Sequence, residues 1–445
     1  MRVCFSAVAG NEGQRPAFIP ALGNAQGKLA HTDKGLKARH NIAGGWNGLS
    51  ALVLSVFANL GRRSCLALTQ AGMKAGRWPL RFSALLILHA SLLAADWPMH
   101  RGNPSLNGRS EDAAPAQAVL RWSFKAGSPV KGSAAIAGGR AFFGDDGGIV
   151  HALNIADGKE AWSFKTEGPI EATPLILDGL CYIGSSDGKL YALDAASGAK
   201  RWAHETNDKV LAGASWVKDP ASDAKWVLVG SYDFSLYALD AASGKVLWKV
   251  ETENFINGTP ALTGDGHAVF GGCDAQLHVV SLRERKEVRK MDAESYIAGS
   301  VAADGAMVYL GNEAKKVFAF DTATGATKWT YHDRSFAYYS SPALSAEAVI
   351  IGGRDKRLHC IDRVKGEARW VFATRGDVDS SPVLCKDGGI LFGSRDGRLY
   401  CVELADGKLR WSYEIGAPLT ASPAIAGGVI VIGAEDGTVH CLGAK

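Results

Sequence analysis

The stretch LYALDAASGAKRW runs from Leu190 to Trp202, and the stretch LYALDAASGKVLW runs from Leu236 to Trp248. The first nine residues of the two are identical, 46 positions apart. A third version, VFAFDTATGATKW, ends at Trp329. A chain that returns to the same short phrase at a regular distance is built from repeated structural units, so the period of the repeat decides the fold.

The tryptophan that closes the phrase recurs along the chain in steps of 40 to 46 residues. The residues in this slot are Trp122, Trp162, Trp202, Trp248, Arg289, Trp329, Trp370 and Trp411. A glycine that ends a short apolar run keeps the same phase at Gly144, Gly184, Gly230, Gly271, Gly311, Gly352, Gly393 and Gly433. Two markers in phase over eight units of about 41 residues indicate a solenoid or a propeller.

Within one unit the hydrophobic pattern has the period of two that is typical of strands. GLCYIGS (179–185) and KLYALD (189–194) alternate apolar with small or polar residues, and SSDG and DAASG supply turns. A third strand ends at the tryptophan, and a segment such as SPALSA (341–346) supplies a fourth. Four short strands per unit, with no helical pattern, predict an all-β, eight-bladed β-propeller of four-stranded antiparallel blades over residues 118–445.

The ends of the repeat predict how the ring closes. The last unit stops after TVHCLGAK without an outer strand, whereas AVLRWSF (118–124) is an outer strand with no blade before it. Pairing the two would remove the exposed sheet edges that invite aggregation. We therefore expect the N-terminal strand of the repeat to close the ring.

Residues 1–95 differ in charge from the repeat. They hold 11 Lys and Arg against two acidic residues, which leaves 38 basic and 43 acidic residues in 96–445, a net charge of −5. The excess of basic residues is confined to the first part of the chain, so it gives no reason to expect nucleic acid as a partner. Segment 96–117 is a lead-in to the propeller.

The layout of 73–95 predicts a secretory signal peptide. Three basic residues after Met73 precede the apolar run FSALLILHASLL (82–93), and Ala94 and Ala95 follow. The run is too short for a membrane span. Because such a signal begins a chain, we interpret 1–72 as a mis-assigned upstream extension; the alternative is a genuine extension. The mature protein is expected to be exported, periplasmic or secreted.

The positions of the histidines and cysteines in the repeat indicate that these side chains pack in the core. His151, His278, His359 and His440 occupy the slot filled by Tyr191, Tyr237, Phe318 and Tyr400 in the other units. Of the eight cysteines, Cys360, Cys401 and Cys441 share one slot with alanines, as small apolar residues do. The spacings predict no metal site and no evident disulfide framework.

The phrase SSDGKLYALDAASGAKRW resembles the repeats of the pyrroloquinoline-quinone-like (PQQ-like) eight-bladed β-propeller family over 118–445, and DWPMHRGNPSLNG (96–108) resembles the lead-in of its exported members. The family contains quinoprotein dehydrogenases and a non-catalytic branch that includes an outer-membrane assembly factor. The compact units resemble the non-catalytic branch, which implies no catalytic residue and no cofactor. The alternatives are a PQQ- and calcium-dependent dehydrogenase and a carbohydrate- or polymer-binding propeller.

The same resemblance implies a scaffold that binds envelope proteins, as a monomer within a larger complex. No Cys follows the signal, so we expect a soluble protein without a lipid anchor. One face of the predicted ring gathers basic residues of three consecutive units beside the loop DRSFAYYSS (333–341), which includes Phe336. The candidate partner-binding rim is Lys315, Lys316, Arg334, Tyr338, Tyr339, Arg354, Lys356, Arg357, Arg395 and Arg398. Its charge suits a partner with an acidic or extended segment; the alternative is an ordinary solvated face.

Overall fold

The computed structural model describes residues 96–445. Within that range every regular element is a strand, and the strands form eight four-stranded antiparallel sheets. The predicted all-β, eight-bladed propeller is thereby confirmed. Across the same range, no helix is long and apolar enough to cross a membrane. The predicted upstream extension 1–72 and signal peptide 73–95 lie outside the described residues.

The first four blades follow one another in sequence. Blade 1 contains β2 (Ala135–Ala137), β3 (Arg140–Gly144), β4 (Ile149–Asn154) and β5 (Glu160–Lys165). Blade 2 contains β6 (Leu175–Leu177), β7 (Leu180–Gly184), β8 (Lys189–Asp194) and β9 (Lys200–Glu205). Blade 3 contains β10 (Ser215–Lys218), β11 (Lys225–Gly230), β12 (Ser235–Asp240) and β13 (Val246–Glu251). Blade 4 contains β14 (Ala261–Leu262), β15 (His267–Gly271), β16 (Gln276–Ser281) and β17 (Lys286–Asp292).

The remaining blades repeat the order, and the last one borrows its outer strand. Blade 5 contains β18 (Ala302–Asp304), β19 (Met307–Gly311), β20 (Val317–Asp321) and β21 (Ala326–Tyr331). Blade 6 contains β22 (Ala343–Leu344), β23 (Ala348–Gly353), β24 (Arg357–Asp362) and β25 (Ala368–Ala373). Blade 7 contains β26 (Val383–Leu384), β27 (Gly389–Gly393), β28 (Arg398–Glu403) and β29 (Leu409–Glu414). Blade 8 contains β30 (Ala424–Ala426), β31 (Val429–Gly433), β32 (Thr438–Gly443) and β1 (Val119–Lys125).

Ring closure follows the predicted pairing. Strand β1 runs antiparallel to β32, with Val119 opposite Gly443 and Lys125 opposite Thr438. The first and last strands of the propeller therefore share one sheet, and unfolding of either end breaks the same blade. The sequence prediction that AVLRWSF pairs near TVHCL is confirmed.

The phrase at the centre of the repeat forms the hairpin between the third and fourth strands of a blade. Asp194 accepts hydrogen bonds from the backbone N–H groups of Ala196 and Ser197, at 3.1 and 2.9 Å. Gly198 follows with a φ of 74°, a left-handed conformation that glycine adopts without strain. This Asx turn explains why the phrase needs Asp at its start and Gly four residues later.

In most units the recurring tryptophan anchors its blade to the next one. Trp162 donates its indole N–H to the Ala195 carbonyl oxygen of the next hairpin at 3.0 Å, and a Cβ on Gly198 would lie 2.7 Å from its ring. Only glycine leaves room for the indole at that point. The same donation joins Trp122 to Ile155, Trp202 to Ala241, Trp329 to Arg363 and Trp370 to Leu404.

The lead-in crosses the inner edges of the blades. Trp97 exchanges two backbone hydrogen bonds with Ile136 in blade 1, and the Gly108 carbonyl oxygen accepts from Leu384 in blade 7. Between them, Arg101 lies buried and donates to the carbonyl oxygens of Pro342 and Pro382. Burial lowers the pKa of Arg101 to about 9. The lead-in therefore joins blades that do not neighbour one another in the ring.

The end of the lead-in completes blade 8. In blade 8 the third and fourth strands, β32 and β1, are the last and first strands of the propeller, so no hairpin joins them. Trp411 of blade 7 therefore has no hairpin carbonyl group of blade 8 to bind. Its indole N–H instead donates to the Pro115 carbonyl oxygen at 2.7 Å. Residue 115 thus supplies the acceptor that a hairpin supplies elsewhere.

Two surfaces result from this topology. The loop face carries the turns between the second and third strands of each blade and the loops from one blade to the next. The hairpin face carries the other two hairpins of each blade. Between the faces, the apolar core lies between neighbouring sheets, as where Phe142 of blade 1 and Ile183 of blade 2 share one buried cluster. Cys181, Cys360, Cys385, Cys401 and Cys441 are free and buried there.

Candidate functional site

The loop face brings the predicted rim residues together. The Arg354 backbone N–H, in the turn of blade 6, donates to the Ala337 carbonyl oxygen of the loop that precedes the blade, at 3.0 Å. Arg354 also contacts the next loop, because its guanidinium binds Asp379. Turns and loops of successive blades therefore form one continuous surface over blades 5 to 7.

Most basic groups of the rim are already paired with carboxylates. The pairs are Lys316–Glu294, Arg354–Asp379 at 2.9 Å, Arg357–Asp333 at 3.3 Å, Arg395–Glu435 at 2.9 Å and Arg398–Glu414 at 2.6 Å. Lys315, Arg334 and Lys356 are exposed and have no ion pair within residues 96–445. The positive charge that remains for a partner is therefore smaller than the sequence suggests, and it is concentrated at these three positions.

Arg354 is the most constrained of the rim cations. Its Nε and Nη2 bind the two Asp379 oxygens at 2.9 and 3.1 Å, and its guanidinium lies 3.8 Å from the centre of the Tyr339 ring. Burial alone would lower the pKa of Arg354, but the hydrogen bonds and charge of Asp379 raise it. The Asp379 side chain is only 6% exposed, so Arg354, as its nearest cation, provides most of its charge balance.

The structure differs from the sequence prediction at two aromatic residues. Tyr338 is 2% exposed and packs edge-on against His359, and Tyr339 is 7% exposed beneath Arg354. Tyr338 lies against Gly311 of the neighbouring blade, where other blades place an aliphatic side chain. Neither ring offers a surface to a partner. Phe336, at 49% exposed, is the aromatic of this loop that solvent reaches.

The innermost part of the loop face carries an ion network that sequence reasoning missed. Asp379 lies between Arg354 and Arg395, at 2.9 and 3.9 Å, and Arg395 also binds Glu435. In blade 1, Lys131 binds Asp146 at 2.5 Å in the same way. The signal in the sequence is the alternation of charge at equivalent turn and loop positions of successive units.

An aromatic group occupies the loop face of blades 3 and 4. Tyr232 and Phe255 stack with ring centres 4.5 Å apart, and Phe234 lies 5.3 Å from Phe255. Phe234 is 39% exposed and has a φ of 70°, a backbone conformation that residues other than glycine rarely adopt. This apolar patch was not predicted, because its members come from a turn and a loop that the repeat leaves variable.

The histidine slot is a hydrogen-bonding slot. His278 Nε2 lies 2.7 Å from Asp274 and its Nδ1 lies 2.5 Å from Glu287. Burial would lower the pKa of His278, but these two carboxylates raise it. Tyr191 donates to Asp187 in the same geometry, at 2.7 Å. Most histidines and tyrosines of this slot therefore share one role, which is to hold the aspartate of the turn below them. His440 is an exception, because neither of its ring nitrogens has a hydrogen-bond partner within residues 96–445.

One group of residues has the donors for a metal ion. Asp333, Asp355 and His359 bring their ligand atoms within 4.8 Å of one another. However, His359 Nε2 already lies 3.2 Å from Asp355, and the Arg357 guanidinium lies 3.3 Å from Asp333. A positive side chain at this place disfavours a second cation.

The ligand needs of the calcium ion in a quinone-dependent dehydrogenase can be compared with the carboxylates of the loop face. Calcium takes six to eight oxygen ligands. The carboxylates of the innermost network are instead bound by arginine or lysine, as Asp379 is by Arg354 and Asp146 is by Lys131. A calcium ion would have to displace these cations from carboxylates that they already neutralise. The residues present do not fit the ion.

Comparisons of the sequence identify the family. A family model described as outer membrane protein assembly factor BamB matches residues 112–331, 212–383 and 354–445, which together span 112–445. The chain belongs to this family. The resemblance inferred from the repeat is confirmed. No curated protein matches the sequence.

Solved structures share the fold. BamB from Moraxella catarrhalis is 22% identical, over 74% of this chain and 98% of that chain, with a TM-score of 0.62. Quinohemoprotein alcohol dehydrogenase from Comamonas testosteroni is 13% identical, over 79% and 81%, with a TM-score of 0.67. A europium-containing methanol dehydrogenase is 12% identical, over 78% and 98%, with a TM-score of 0.63. These likenesses show the fold alone, because one architecture serves both kinds of protein.

Proposed function

We propose that the protein is a non-catalytic, exported scaffold that binds other proteins of the bacterial cell envelope and takes part in outer-membrane protein assembly. Membership of the BamB family supports this function. The observation that carries it is the ion network of the loop face, where arginine and lysine occupy the carboxylates that a catalytic metal would need. Such a network makes a rigid, preformed surface, which reduces the entropy that binding must overcome.

The partner site that we propose lies on the loop face of blades 5 and 6. Lys315, Arg334 and Lys356 carry the unpaired positive charge there, and Phe336 adds an exposed aromatic ring. A basic surface beside an aromatic side chain suits an acidic or extended segment of another protein. We propose that the protein acts as one propeller within a larger complex and needs no cofactor.

Charge reversal at the unpaired positions tests this site. The variant Lys315→Glu/Arg334→Glu/Lys356→Glu breaks no ion pair within residues 96–445, so its folding should be unchanged. In a pull-down from an envelope extract we expect it to lose the proteins that the wild type retains at low salt. The matched control is Lys245→Glu/Lys365→Glu/Lys386→Glu, because these three exposed lysines lie in hairpins of the other face and have no ion pair in the described chain. Equal loss in both variants would refute the site.

The dehydrogenase alternative has its own test. Adding the quinone and Ca²⁺ to the purified protein should give neither a bound chromophore nor reduction of a dye with alcohols or sugars. Stoichiometric quinone binding with turnover would replace the scaffold proposal.

We also propose that translation begins at Met73 and that cleavage after Ala95 releases a soluble protein that begins at Asp96. The hydrogen bonds of the lead-in begin at Trp97, so a chain cut at that point retains all of those described above. N-terminal sequencing of the native exported protein measures this directly. Peptides from 1–72 in the native protein would contradict it.

A further inference from the structure

Two departures from the repeat meet on the hairpin face between blades 3 and 4. Blade 3 carries the insertion VKDPASDAK (217–225), which lengthens its first hairpin. Blade 4 carries SLRERKE (281–287) where the other hairpins of this kind have a five-residue phrase that ends in glycine, such as DAASG (194–198). A groove of about 470 Å³ lies between them, and its lining is Asp219, Pro220, Ala221, Trp226, Leu282, Arg283 and Arg285.

Arg285 occupies the position that glycine fills in the other hairpins of this kind. Its φ is 57°, close to the 74° of Gly198 at the equivalent place. A side chain other than glycine is strained in this conformation, and such residues are concentrated at functional sites. The Arg285 guanidinium lies 5.2 Å from the centre of the Trp226 ring, so the strained residue presents a cation on an aromatic wall.

The inter-blade anchor is broken at the same place. In other blades the glycine leaves room for the preceding tryptophan, whose indole N–H binds the hairpin. Trp248, which precedes blade 4, is 9% exposed and its Nε1 has no hydrogen-bond partner within residues 96–445. Trp248 packs edge-on against Trp226 instead, with ring centres 5.8 Å apart. The chain therefore gives up a repeated structural contact where the groove forms.

Neither arginine of the groove forms an ion pair within residues 96–445, although the charge of Arg285 contributes to the lowered pKa of Asp219. Glu284 lies between them in sequence but binds Lys286 at 2.9 Å. Asp219 accepts from Ala221 N–H and the Ser222 hydroxyl, at 3.0 and 2.8 Å, and has no ion pair with either arginine. The groove thus combines two available guanidinium groups with an apolar wall.

We propose that this groove binds a monocarboxylate that has an aromatic or aliphatic group beside it. A guanidinium stacked on a ring keeps its N–H edge free for both oxygens of a carboxylate. The apolar part of the ligand would lie against Trp226 and Leu282. Asp219 on the opposite wall adds a negative charge, which disfavours the dianion of phosphate more than a carboxylate. The site lies on the face opposite the proposed partner site, and it does not depend on that proposal.

Calorimetric titration of the full-length protein with N-acetylphenylalanine, its amide and inorganic phosphate tests the site. We expect the acid to bind, and the amide and phosphate to bind at least tenfold more weakly. A peptide that ends in phenylalanine with a free carboxylate is the second arm. Tighter binding of the peptide would identify a chain terminus as the ligand, whereas equal binding would identify a small acid; both outcomes support the carboxylate site.

Two variants separate binding from folding. Arg285→Gly restores the residue of the repeat, so its melting temperature should equal or exceed that of the wild type while acid binding falls at least tenfold. Arg283→Gln removes the other charge without a change of backbone preference and should also weaken binding. The control Lys365→Gln alters an exposed cation in the equivalent hairpin of blade 6 and should bind like the wild type. Absence of acid binding, equal binding of acid and amide, preference for phosphate, or wild-type binding by both arginine variants would overturn the proposal.

Discussion

Replacing Trp329 by phenylalanine should destabilise the ring more than the same replacement of Trp248. The two side chains are buried alike, at 8% and 9% exposed, so each change removes a similar apolar area. They differ in the indole N–H. That of Trp329 donates to the Arg363 carbonyl oxygen at 2.9 Å, whereas that of Trp248 has no acceptor in the described chain.

The magnitude follows from the hydrogen bond. Loss of a typical intramolecular hydrogen bond lowers the free energy of unfolding by about 1 kcal/mol. Removal of a buried donor that has no partner relieves a penalty of about 1 to 3 kcal/mol. The free energies of unfolding of the variants Trp329→Phe and Trp248→Phe should therefore differ by about 2 to 4 kcal/mol, with the Trp248 variant the more stable.

Urea denaturation followed by far-ultraviolet circular dichroism measures the difference. The slope of the free energy with urea should be the same in both variants, so that the shift of midpoint reports stability alone. Trp162→Phe is the matched control, because Trp162 is also 9% exposed, donates to the Ala195 carbonyl oxygen at 3.0 Å and should behave like Trp329. If Trp248→Phe is as destabilising as Trp329→Phe, the indole bonds are not what distinguishes the blade junctions.

Three further perturbations probe the ring and its charges. Deletion of 118–124 removes the outer strand of blade 8, so the whole ring should melt at a lower temperature; an unchanged melting curve would contradict the pairing of β1 with β32. Carboxylates raise the pKa of His278 above its ordinary value of 6.5, so its stabilisation is complete below that pH and is lost as the pH rises through the raised pKa. The stability deficit of His278→Tyr in urea titrations should therefore shrink as the pH rises above 6.5, and a deficit that stays constant with pH would contradict the raised pKa. Arg354→Glu should cost about 3 to 5 kcal/mol because it places a second carboxylate beside the buried Asp379, whose remaining cation, Arg395, lies 3.9 Å away. Lys356→Glu should change stability by about 0.5 kcal/mol or less, and equal effects in thermal melts would refute the distinction.

The fold was predictable because every unit repeats the same local chemistry. Asp194 and Gly198 specify a hairpin, and Trp162 fits above that glycine, so one phrase determines both a turn and a contact between blades. Ring closure was predictable because the outer strand missing at one end is present at the other. The path of the lead-in was not, because Arg101 and Pro115 belong to no repeat and their partners are backbone carbonyl and indole groups.

The loop face was predictable in position but not in charge. Strand order places Arg354 and Arg395 on one side, but their partners Asp379 and Glu435 come from other loops and turns, whose approach depends on tertiary structure.

The burial of Tyr338 could have been predicted from its position in the repeat. Its slot holds aliphatic residues such as Val378 and Leu419 in later units, and in each case the side chain covers the recurring glycine of the preceding blade.

The repeat also supplies internal controls for interpreting its exceptions. Arg289 departs from the tryptophan slot, and its guanidinium still lies against Gly325, at 2.6 Å from a Cβ built there. Its Nη1 has no hydrogen-bond partner within residues 96–445, so this junction keeps the packing of the slot but not its hydrogen bond. Arg285 departs from the glycine slot, and there the junction loses its indole hydrogen bond, adopts a strained φ and opens a groove. An exception that keeps the packing of its slot is a packing variant, whereas one that also strains the backbone and opens a groove is a candidate binding site. The groove between blades 3 and 4 meets the second condition, and binding of a ligand there would supply the missing interaction energy.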